Sequence, residues 1–363
     1  MTNLTTVRKI ITASFGTVEA PGPMTPIFIE GAPGTGKTQL VKDIAKDAGV
    51  GFVFIPASTM RPEDLTVPDV LSEGSTYDYK IFKNLPVIGN EDLPDRGVLV
   101  FDESSQADLD IQKFLGQVLP PNSAAGTHKM KPGWLIIATG NRREDKAGAN
   151  KLLTHLLDRF ILVEDVEPTL KEWTDYSLTA AKRGDDDFNP LVMAFHQQSE
   201  GRYLHTFDGS QTQVRKTATF RGWSMASRFI NSLGMGSKEL PTIVRGIVGE
   251  AAAQQFYAFV QVANELPDID EVLSSVEAAS RFVVPKPLGH RWFMTSAIAR
   301  KADWRNADAV IAALLRLCDN HEDMLVAGLL VAKDYGDRFS SSEAFGKQIT
   351  AGVFDSLHDQ LGL

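Results

Sequence analysis

The stretch EGAPGTGKTQLV, residues 30–41, has glycines and a lysine at a spacing that can bind phosphate. Gly31, Gly36, Lys37 and Thr38 fit the pattern G-x-x-x-x-G-K-[ST]. Its glycines let backbone N–H groups turn inward around phosphates at the positive end of a helix, while the lysine reaches the phosphate oxygens and the threonine ligates Mg²⁺. The predicted nucleotide-binding residues are Gly31, Ala32, Pro33, Gly34, Thr35, Gly36, Lys37, Thr38 and Gln39.

The sequence around this loop favours a phosphate site over the alternative, a glycine-rich turn without chemistry. PIFIE, residues 26–30, is a short apolar run typical of a buried strand. Apolar residues after the loop repeat at helical spacing up to Ala48, and Gly49 is a typical helix stop. Strand, loop and helix follow one another in the order that a phosphate cradle needs.

A second apolar segment, RGVLVFDESSQAD at residues 96–108, ends in two acids. Val98 to Phe101 predict a buried strand, and the carboxyl edge of a parallel sheet is where ligands bind. Asp102 is therefore predicted to hold Mg²⁺ together with Thr38, and Glu103 to polarise the attacking water. The alternative is that the two acids begin a surface helix.

A third apolar strand is predicted in GWLIIATGNRRED, residues 133–145. It runs from Trp134 to Ala138, and Asn141 follows at its tip. Coming after the two earlier strands, Asn141 is a candidate for orienting water against the γ-phosphate.

The order GAPGTGKT, VLVFDES, IIATGN and LLDRF resembles AAA+ ATPases and, within them, the MoxR-like group that includes the NorQ and CbbQ activators. The resemblance covers roughly residues 25–265. It implies a P-loop NTPase fold, a doubly wound α/β domain with a parallel sheet, followed by an α-helical lid. It also implies a homo-oligomeric ring, usually a hexamer, with ATP bound between subunits.

The resemblance assigns a role to the arginine of LLDRF. Arg159 resembles the finger that enters the neighbouring subunit's site, where a planar cation stabilises charge on the transferring phosphoryl group. Arg142 and Arg143, directly after Asn141, are competing candidates. The other alternative is an ion pair of Arg159 with Asp158 or a nearby acid.

A helix is predicted within TATFRGWSMASRFINSLG, residues 217–234, with Trp223 on an apolar face and Gly234 closing it. Arg221 resembles sensor 2, a lid residue that reaches the γ-phosphate of its own subunit. The family commonly has proline before this arginine, whereas this chain has Phe220. Its role depends on the resemblance alone, and an ion-pairing surface arginine is the alternative.

Two segments resemble the insertions of the MoxR-like clade. Residues 60–86 carry a hairpin pattern with a turn at Gly74, and residues 120–133 form a second short insertion before the third strand. In related rings such loops face the pore or a client; the alternative is that they are solvated turns.

Composition excludes some classes of protein, and the resemblance implies how the chain divides into domains. The chain has 363 residues, 43% of them hydrophobic, and a formal net charge of -9. We expect an α/β nucleotide-binding domain at 1–166, a helical lid at 167–265 and a helical C-terminal extension at 266–363. The longest apolar run, residues 324–332, is too short to cross a bilayer, which needs about 20 residues. With no secretory signal and one cysteine, Cys318, the chain is predicted to be soluble and cytoplasmic.

Three functions fit these residues. The first is a MoxR-like ATP hydrolase that remodels a protein client, and the resemblance adds a partner with a von Willebrand factor A domain. The second is a DNA-directed motor or helicase loader, which the acidic balance disfavours. The third is a nucleotide-locked assembly scaffold with little turnover, against which Glu103 argues.

Overall fold

The chain divides into two compact units. The structure, a computed structural model, describes residues 2–17, 20–70, 77–120, 123–142, 152–182, 188–207, 216–263, 266–318, 321–335 and 339–350. Unit 1 comprises Met1–Thr169 and Phe207–Gln213, and unit 2 comprises Leu170–Thr206 and Val214–Leu363.

Unit 1 is a parallel sheet with flanking helices. Its strands are β1 (Ile27–Glu30), β2 (Gly51–Pro56), β3 (Thr66–Val70), β4 (Tyr77–Ile81), β5 (Arg96–Asp102), β6 (Ala124–Ala125), β7 (His128–Lys129), β8 (Gly133–Gly140) and β9 (Ile161–Val163). Its helices are α1 (Leu4–Phe15), α2 (Lys37–Asp47), α3 (Pro62–Leu65), α4 (Leu109–Val118) and α5 (Thr154–Leu157). The main sheet has the order β2-β5-β8-β1-β9, and all its neighbours pair in parallel.

Both faces of the sheet are buried because alternate strand residues point to opposite sides. Ile27 and Ile29 of β1 belong to an apolar cluster with Val7 of α1 and Val41 of α2. Phe28 belongs instead to the cluster on the other face, which includes Phe114 of α4. The predicted doubly wound α/β fold is confirmed.

Helix α2 confirms the helix predicted after the glycine-rich loop. Its predicted apolar residues are buried except Ala48, which is the exposed C-cap. The chain then turns at Gly49, whose φ of 63° lies in the left-handed region that glycine adopts without strain.

The two predicted insertions are hairpins that contact each other. Strand β3 pairs antiparallel with β4, and β6 with β7. A Cβ atom on Gly126 would lie 2.7 Å from the Tyr79 ring. His128 Nε2 lies 2.8 Å from the Tyr79 carbonyl oxygen, and the Thr127 hydroxyl donates to Asp78, which lowers the pKa of that carboxyl. The turn predicted at Gly74 lies outside the described residues.

Unit 2 is helical. Its α-helices are α6 (Leu170–Lys182), α7 (Pro190–Gln198), α8 (Phe220–Leu233), α9 (Leu240–Val248), α10 (Glu250–Ala263), α11 (Ile269–Val272), α12 (Val276–Arg281), α13 (Leu288–Arg300), α14 (Ala307–Leu317), α15 (Glu322–Tyr335) and α16 (Glu343–Thr350). The predicted helical C-terminal region is therefore confirmed. Buried residues on both sides of residue 265 share one apolar cluster, and the predicted domain ranges stay predictions. Within the described residues, no helix has the length and apolar character needed to cross a membrane.

Helix α8 begins where the sequence predicts. The Thr219 side chain accepts a hydrogen bond from the Gly222 N–H at 3.0 Å, which caps the helix. Trp223, Ala226 and Ile230 are buried, whereas Leu233, expected on the same face, is 46% exposed.

His196 of α7 is a buried ring among aromatic side chains. Its centroid lies 4.5 Å from that of Trp223 and 5.0 Å from that of Trp173, with edge-to-face geometry. Neither of its ring nitrogens has a hydrogen-bond partner among the described residues. Burial lowers the pKa of His196 to about 3 because a charged ring would lose its hydration.

We predict that His196 makes unit 2 sensitive to acid. The unfolded chain binds a proton at His196 below pH about 6.5, whereas the folded chain stays neutral there until about pH 3. Stability from the neutral ring is thus complete above pH 6.5 and is lost as pH falls, by about 1.4 kcal/mol per unit. The measurement is urea unfolding, followed by tryptophan fluorescence, at pH 7.5 and 5.5.

His196→Leu should lose less stability than the wild type between these two pH values. His321→Gln, which changes an exposed histidine of the same unit, is the control and should behave like the wild type. Equal acid losses in the wild type and His196→Leu would contradict the prediction.

Candidate functional site

The loop between β1 and α2 forms an open cradle at a helix N-terminus. Gly34 and Gly36 have φ angles of 78° and 87°, in the left-handed region. Gly36 is the N-cap of α2 and provides no side-chain hydrogen bond to the first turn. A Cβ atom at Gly36 would meet nothing within 4 Å. The loop therefore leaves space beside uncapped backbone N–H groups, which is the arrangement that binds phosphate.

Lys37 lies under this loop. Its side chain is buried, with 8% of the residue exposed, and Nζ donates to the carbonyl oxygens of Gly31 and Ala32 at 2.8 and 2.9 Å. Thr35 also donates to the Ala32 oxygen, at 3.0 Å. A buried ammonium needs oxygen acceptors, and phosphate oxygens suit it better than carbonyls because they are charged.

Asp102 joins the loop helix to the central strands. Its Oδ1 accepts hydrogen bonds from the hydroxyls of Thr38, at 2.6 Å, and Thr139, at 2.5 Å. Thr38 comes from the first turn of α2, Asp102 ends β5 and Thr139 lies near the end of β8. A carboxylate beside a hydroxyl is the hard oxygen donor set that Mg²⁺ takes alongside phosphate oxygens and water. The residues present thus fit a magnesium ion.

Glu103 is held in a left-handed conformation directly after β5, with φ 55° and ψ 36°. Its side chain is exposed, and Oε2 accepts a hydrogen bond from the Ser58 hydroxyl at 2.6 Å. Its backbone N–H donates to Thr139 Oγ1 at 3.1 Å. Glu103 is thus the N-cap of a short 3₁₀-helix, Ser104–Gln106, in which Ser104 and Ser105 are buried, so the helix that it begins is not a surface helix.

The sequence reasoning missed Ser58 and Thr139. Both lie where strands of the sheet end, Ser58 shortly after β2 and Thr139 within β8. The rule that drew attention to Asp102, a polar side chain at the carboxyl end of an apolar strand, applies equally to them.

Asn141 lies at the same sheet edge. It follows β8, is 7% exposed, and its backbone N–H donates to Ser105 Oγ at 3.3 Å. Arg142 pairs with Asp165 at 3.6 Å. Arg143 lies outside the described residues.

The remaining predicted site residues have other partners or belong to the other unit. Arg159 follows α5, and its Nη1 donates to the Gly116 carbonyl oxygen in α4 at 2.6 Å. Among the described residues, the hydrogen-bond partner of Arg159 is thus a carbonyl and not Asp158. Gln39 is exposed and donates to Asp43 at 2.9 Å. Arg221 is exposed in the first turn of α8 in unit 2.

The sequence of residues 27–165 matches the ATPase family associated with various cellular activities, AAA. These residues form an AAA ATPase domain. The enzyme class is therefore ATP hydrolase, with nucleotide bound by a P-loop. The match covers less than half of the chain, and no curated protein sequence matches it.

Several solved structures are distantly similar to the chain. NtrX from Brucella abortus in complex with ADP has 15% identity and a TM-score of 0.39, over 99% of this chain and 68% of that chain. Hsp104 with ATPγS and casein has 14% identity and a TM-score of 0.36, over 67% and 46%. The Thermotoga maritima RuvB Holliday junction branch migration motor has 16% identity and a TM-score of 0.36, over 69% and 68%. These likenesses are too distant to indicate a client or an assembly.

Proposed function

We propose that this protein is a MoxR-like AAA+ ATPase that hydrolyses Mg-ATP at the subunit interfaces of a ring, usually a hexamer, and so remodels a protein client. The observation that carries the proposal is the shared carboxylate oxygen of Asp102. This oxygen accepts hydrogen bonds from the hydroxyl of Thr38 in the loop helix and from that of Thr139 in β8. The next residue, Glu103, is exposed. These contacts at one edge of the sheet support the proposal that Thr38 and Asp102 hold the metal and that Glu103 is the base.

ATP would bind across the loop. The backbone N–H groups from Gly34 to Gln39 would surround the phosphates, with Gly31, Ala32 and Pro33 beside them. Lys37 would exchange the carbonyls of Gly31 and Ala32 for phosphate oxygens. Thr38 and Asp102 would hold Mg²⁺, which neutralises charge on the phosphates when bound. The Thr38 hydroxyl can keep its bond to Asp102 while a lone pair of its oxygen faces the metal.

Glu103 would accept a proton from the attacking water. The Ser58 hydroxyl occupies Oε2 and holds the side chain in place, which leaves Oε1 for the water. Asn141, at the end of the neighbouring strand, would orient that water against the γ-phosphate.

Arg159 would act on the ATP of the neighbouring subunit. Its present partner, the Gly116 carbonyl, is neutral, so exchange for a charged phosphate oxygen is favourable. Arg142 already pairs with Asp165, which makes it the weaker candidate, and Arg143 remains a competitor on sequence alone. Arg221 is proposed as the sensor of its own subunit's γ-phosphate.

The charges support a protein client over DNA. The basic cluster at residues 128–131 lies on the second hairpin, but Lys131 is engaged there: its Nζ donates to the Leu93 carbonyl at 2.6 Å and the side chain is 11% exposed. Lys129 is the exposed lysine of that cluster. A net charge of -9 opposes the approach of a polyanion.

The two hairpins, which contact each other through Tyr79 and Gly126, are proposed to face the client. The family resemblance adds a partner with a von Willebrand factor A domain. The proposal places the enzyme in the cytoplasm, where an unpaired cysteine such as Cys318 is usual.

Separate variants should divide ATP binding from turnover. Lys37→Ala should abolish ATP binding because the ammonium is lost, whereas Glu103→Gln should bind ATP but turn it over on the order of a hundredfold more slowly. The measurements are equilibrium nucleotide binding and phosphate release. Lys42→Ala, which removes an exposed lysine of the same helix, should leave both unchanged. Near-normal turnover by Glu103→Gln would contradict the role of that residue and favour another base.

Mixing inactive variants should restore some activity if Arg159 acts in trans. Arg159→Ala alone should reduce turnover on the order of a thousandfold. Lys37→Ala subunits still offer Arg159, and Arg159→Ala subunits still bind ATP, so mixed rings contain some complete sites. The measurement is ATP turnover across mixing ratios, with subunit exchange followed independently. If Arg159 only anchors the chain through the Gly116 carbonyl, mixing would restore no ATP turnover, and Arg159→Ala would unfold at a lower temperature than the wild type.

DNA should not stimulate turnover at moderate salt. A DNA motor contacts several phosphates, and its affinity falls with salt by a log–log slope of about 0.9 per contact. The measurement is the ATPase rate with single- and double-stranded DNA titrated across ionic strength. The control is Lys9→Ala, which removes an exposed lysine of α1. Stimulation that fades steeply with salt, is lost in Lys129→Ala and is kept in the control would favour the DNA-directed alternative. If the ATPase rate is very slow and neither DNA nor any added protein fraction changes it, the nucleotide-locked scaffold is favoured.

A further inference from the structure

The hydroxyl of Thr139 lies between the two acids of the site. Thr139 is 1% exposed, and its Oγ1 donates to Asp102 Oδ1 at 2.5 Å and accepts the backbone N–H of Glu103 at 3.1 Å. One side-chain oxygen on β8 thus contacts both Asp102, which ends β5, and Glu103, which follows it.

The direction of these bonds is fixed by the number of protons. A hydroxyl has one proton to donate, and a backbone N–H can only donate. Since the Glu103 N–H takes a lone pair of Thr139 Oγ1, the hydroxyl proton is directed to Asp102. Thr38 donates to the same oxygen at 2.6 Å. Among the described residues, the two hydroxyls that donate to Asp102 therefore both bind Oδ1. Oδ2 of Asp102 remains for the water shell of a metal.

The same contact supports an unusual backbone conformation. Glu103 has φ 55° and ψ 36°, a region that residues with a Cβ atom seldom adopt. This turn directs the Glu103 carboxylate out of the sheet and toward Ser58. The Thr139 oxygen satisfies the Glu103 N–H in that turn, so loss of the oxygen would leave a partly buried donor without its partner.

We infer that Thr139 is a positioning residue that sets the metal-holding carboxylate and the candidate base together. The inference rests on the proposed function, because it assigns Thr139 an effect on both steps through Asp102 and Glu103. Thr139 would act only through these two residues, and the inference assigns it no contact with the nucleotide or the attacking water. A merely structural threonine would alter stability without altering metal affinity.

The test compares Thr139→Val, which keeps the branched shape without the hydroxyl, with Thr139→Ser, which keeps the hydroxyl. Thr295→Val is the matched control, since Thr295 is a fully buried threonine of unit 2. Three quantities are measured: Mn²⁺ affinity of the ADP-bound protein by electron paramagnetic resonance, ATP binding with EDTA, and kcat for ATP.

Thr139→Val should weaken Mn²⁺ binding and lower kcat, each on the order of tenfold or more, as expected for lost hydrogen bonds to charged or strained groups. ATP binding with EDTA should not change, because Lys37 and the loop are untouched. Thr139→Ser and Thr295→Val should match the wild type in all three measurements. Should the valine variant fail to fold, Thr139→Ala takes its place with the same expected result.

The inference would be overturned if Thr139→Val kept the Mn²⁺ affinity and kcat of the wild type. It would also be overturned if Thr139→Ser were as impaired as Thr139→Val. These outcomes leave the proposed function standing as long as the wild type releases phosphate from ATP in the same assay. A wild-type protein that binds no Mn²⁺ with ADP and releases no phosphate from ATP would instead overturn the proposed function, and the inference with it.

Discussion

A single carboxylate oxygen holds the candidate site of unit 1 together. Asp102 Oδ1 accepts hydrogen bonds from a helix residue, Thr38, and from a strand residue, Thr139, at 2.6 and 2.5 Å. The contact exists because β5 lies next to β8 in the parallel sheet and ends at the edge where the loop before α2 emerges. Apolar burial on both faces stabilises that sheet. The site is thus a consequence of sheet packing, and a shift in the register of β5 would break the contacts of Asp102 with Thr38 and Thr139.

The surroundings of two adjacent acids suit them to different tasks. Asp102 has two hydroxyl donors on one oxygen, which restrains the carboxylate as a metal ligand should be restrained. Glu103 is exposed, and among the described residues one hydroxyl, that of Ser58, donates to its side chain. The left-handed turn at Glu103 ends β5 and directs its carboxylate toward Ser58. On the proposed function, this turn is what allows neighbouring residues to serve the metal and the water.

Patterns of hydrophobic spacing and of turn residues predicted strands β1, β5 and β8, the loop, its helix and the first hairpin, whereas the family resemblance implied the parallel sheet and the second insertion. They work because apolar alternation, helical spacing and glycine stops are local properties of the chain. Contacts between distant segments were missed. Nothing near Ser58 or Thr139 indicates that a carboxylate lies opposite, and nothing near Arg159 indicates that its partner is the Gly116 carbonyl. Lys131 likewise has a partner that no local pattern predicts, since the fold brings it to the Leu93 carbonyl, 38 positions away.

The partners of Lys37 bear on how the proposed site would gain affinity. Its ammonium already has two carbonyl acceptors at 2.8 and 2.9 Å, so burial of the charge is largely compensated before a nucleotide binds. The gain from phosphate is therefore only the difference between a charged and a neutral acceptor. Thr38 differs from Lys37, because its donor bond to Asp102 can persist while its oxygen ligates a metal. Binding of Mg-ATP would then rearrange one side chain of the loop and retain the other, so the contact that joins α2, β5 and β8 would persist through the reaction cycle.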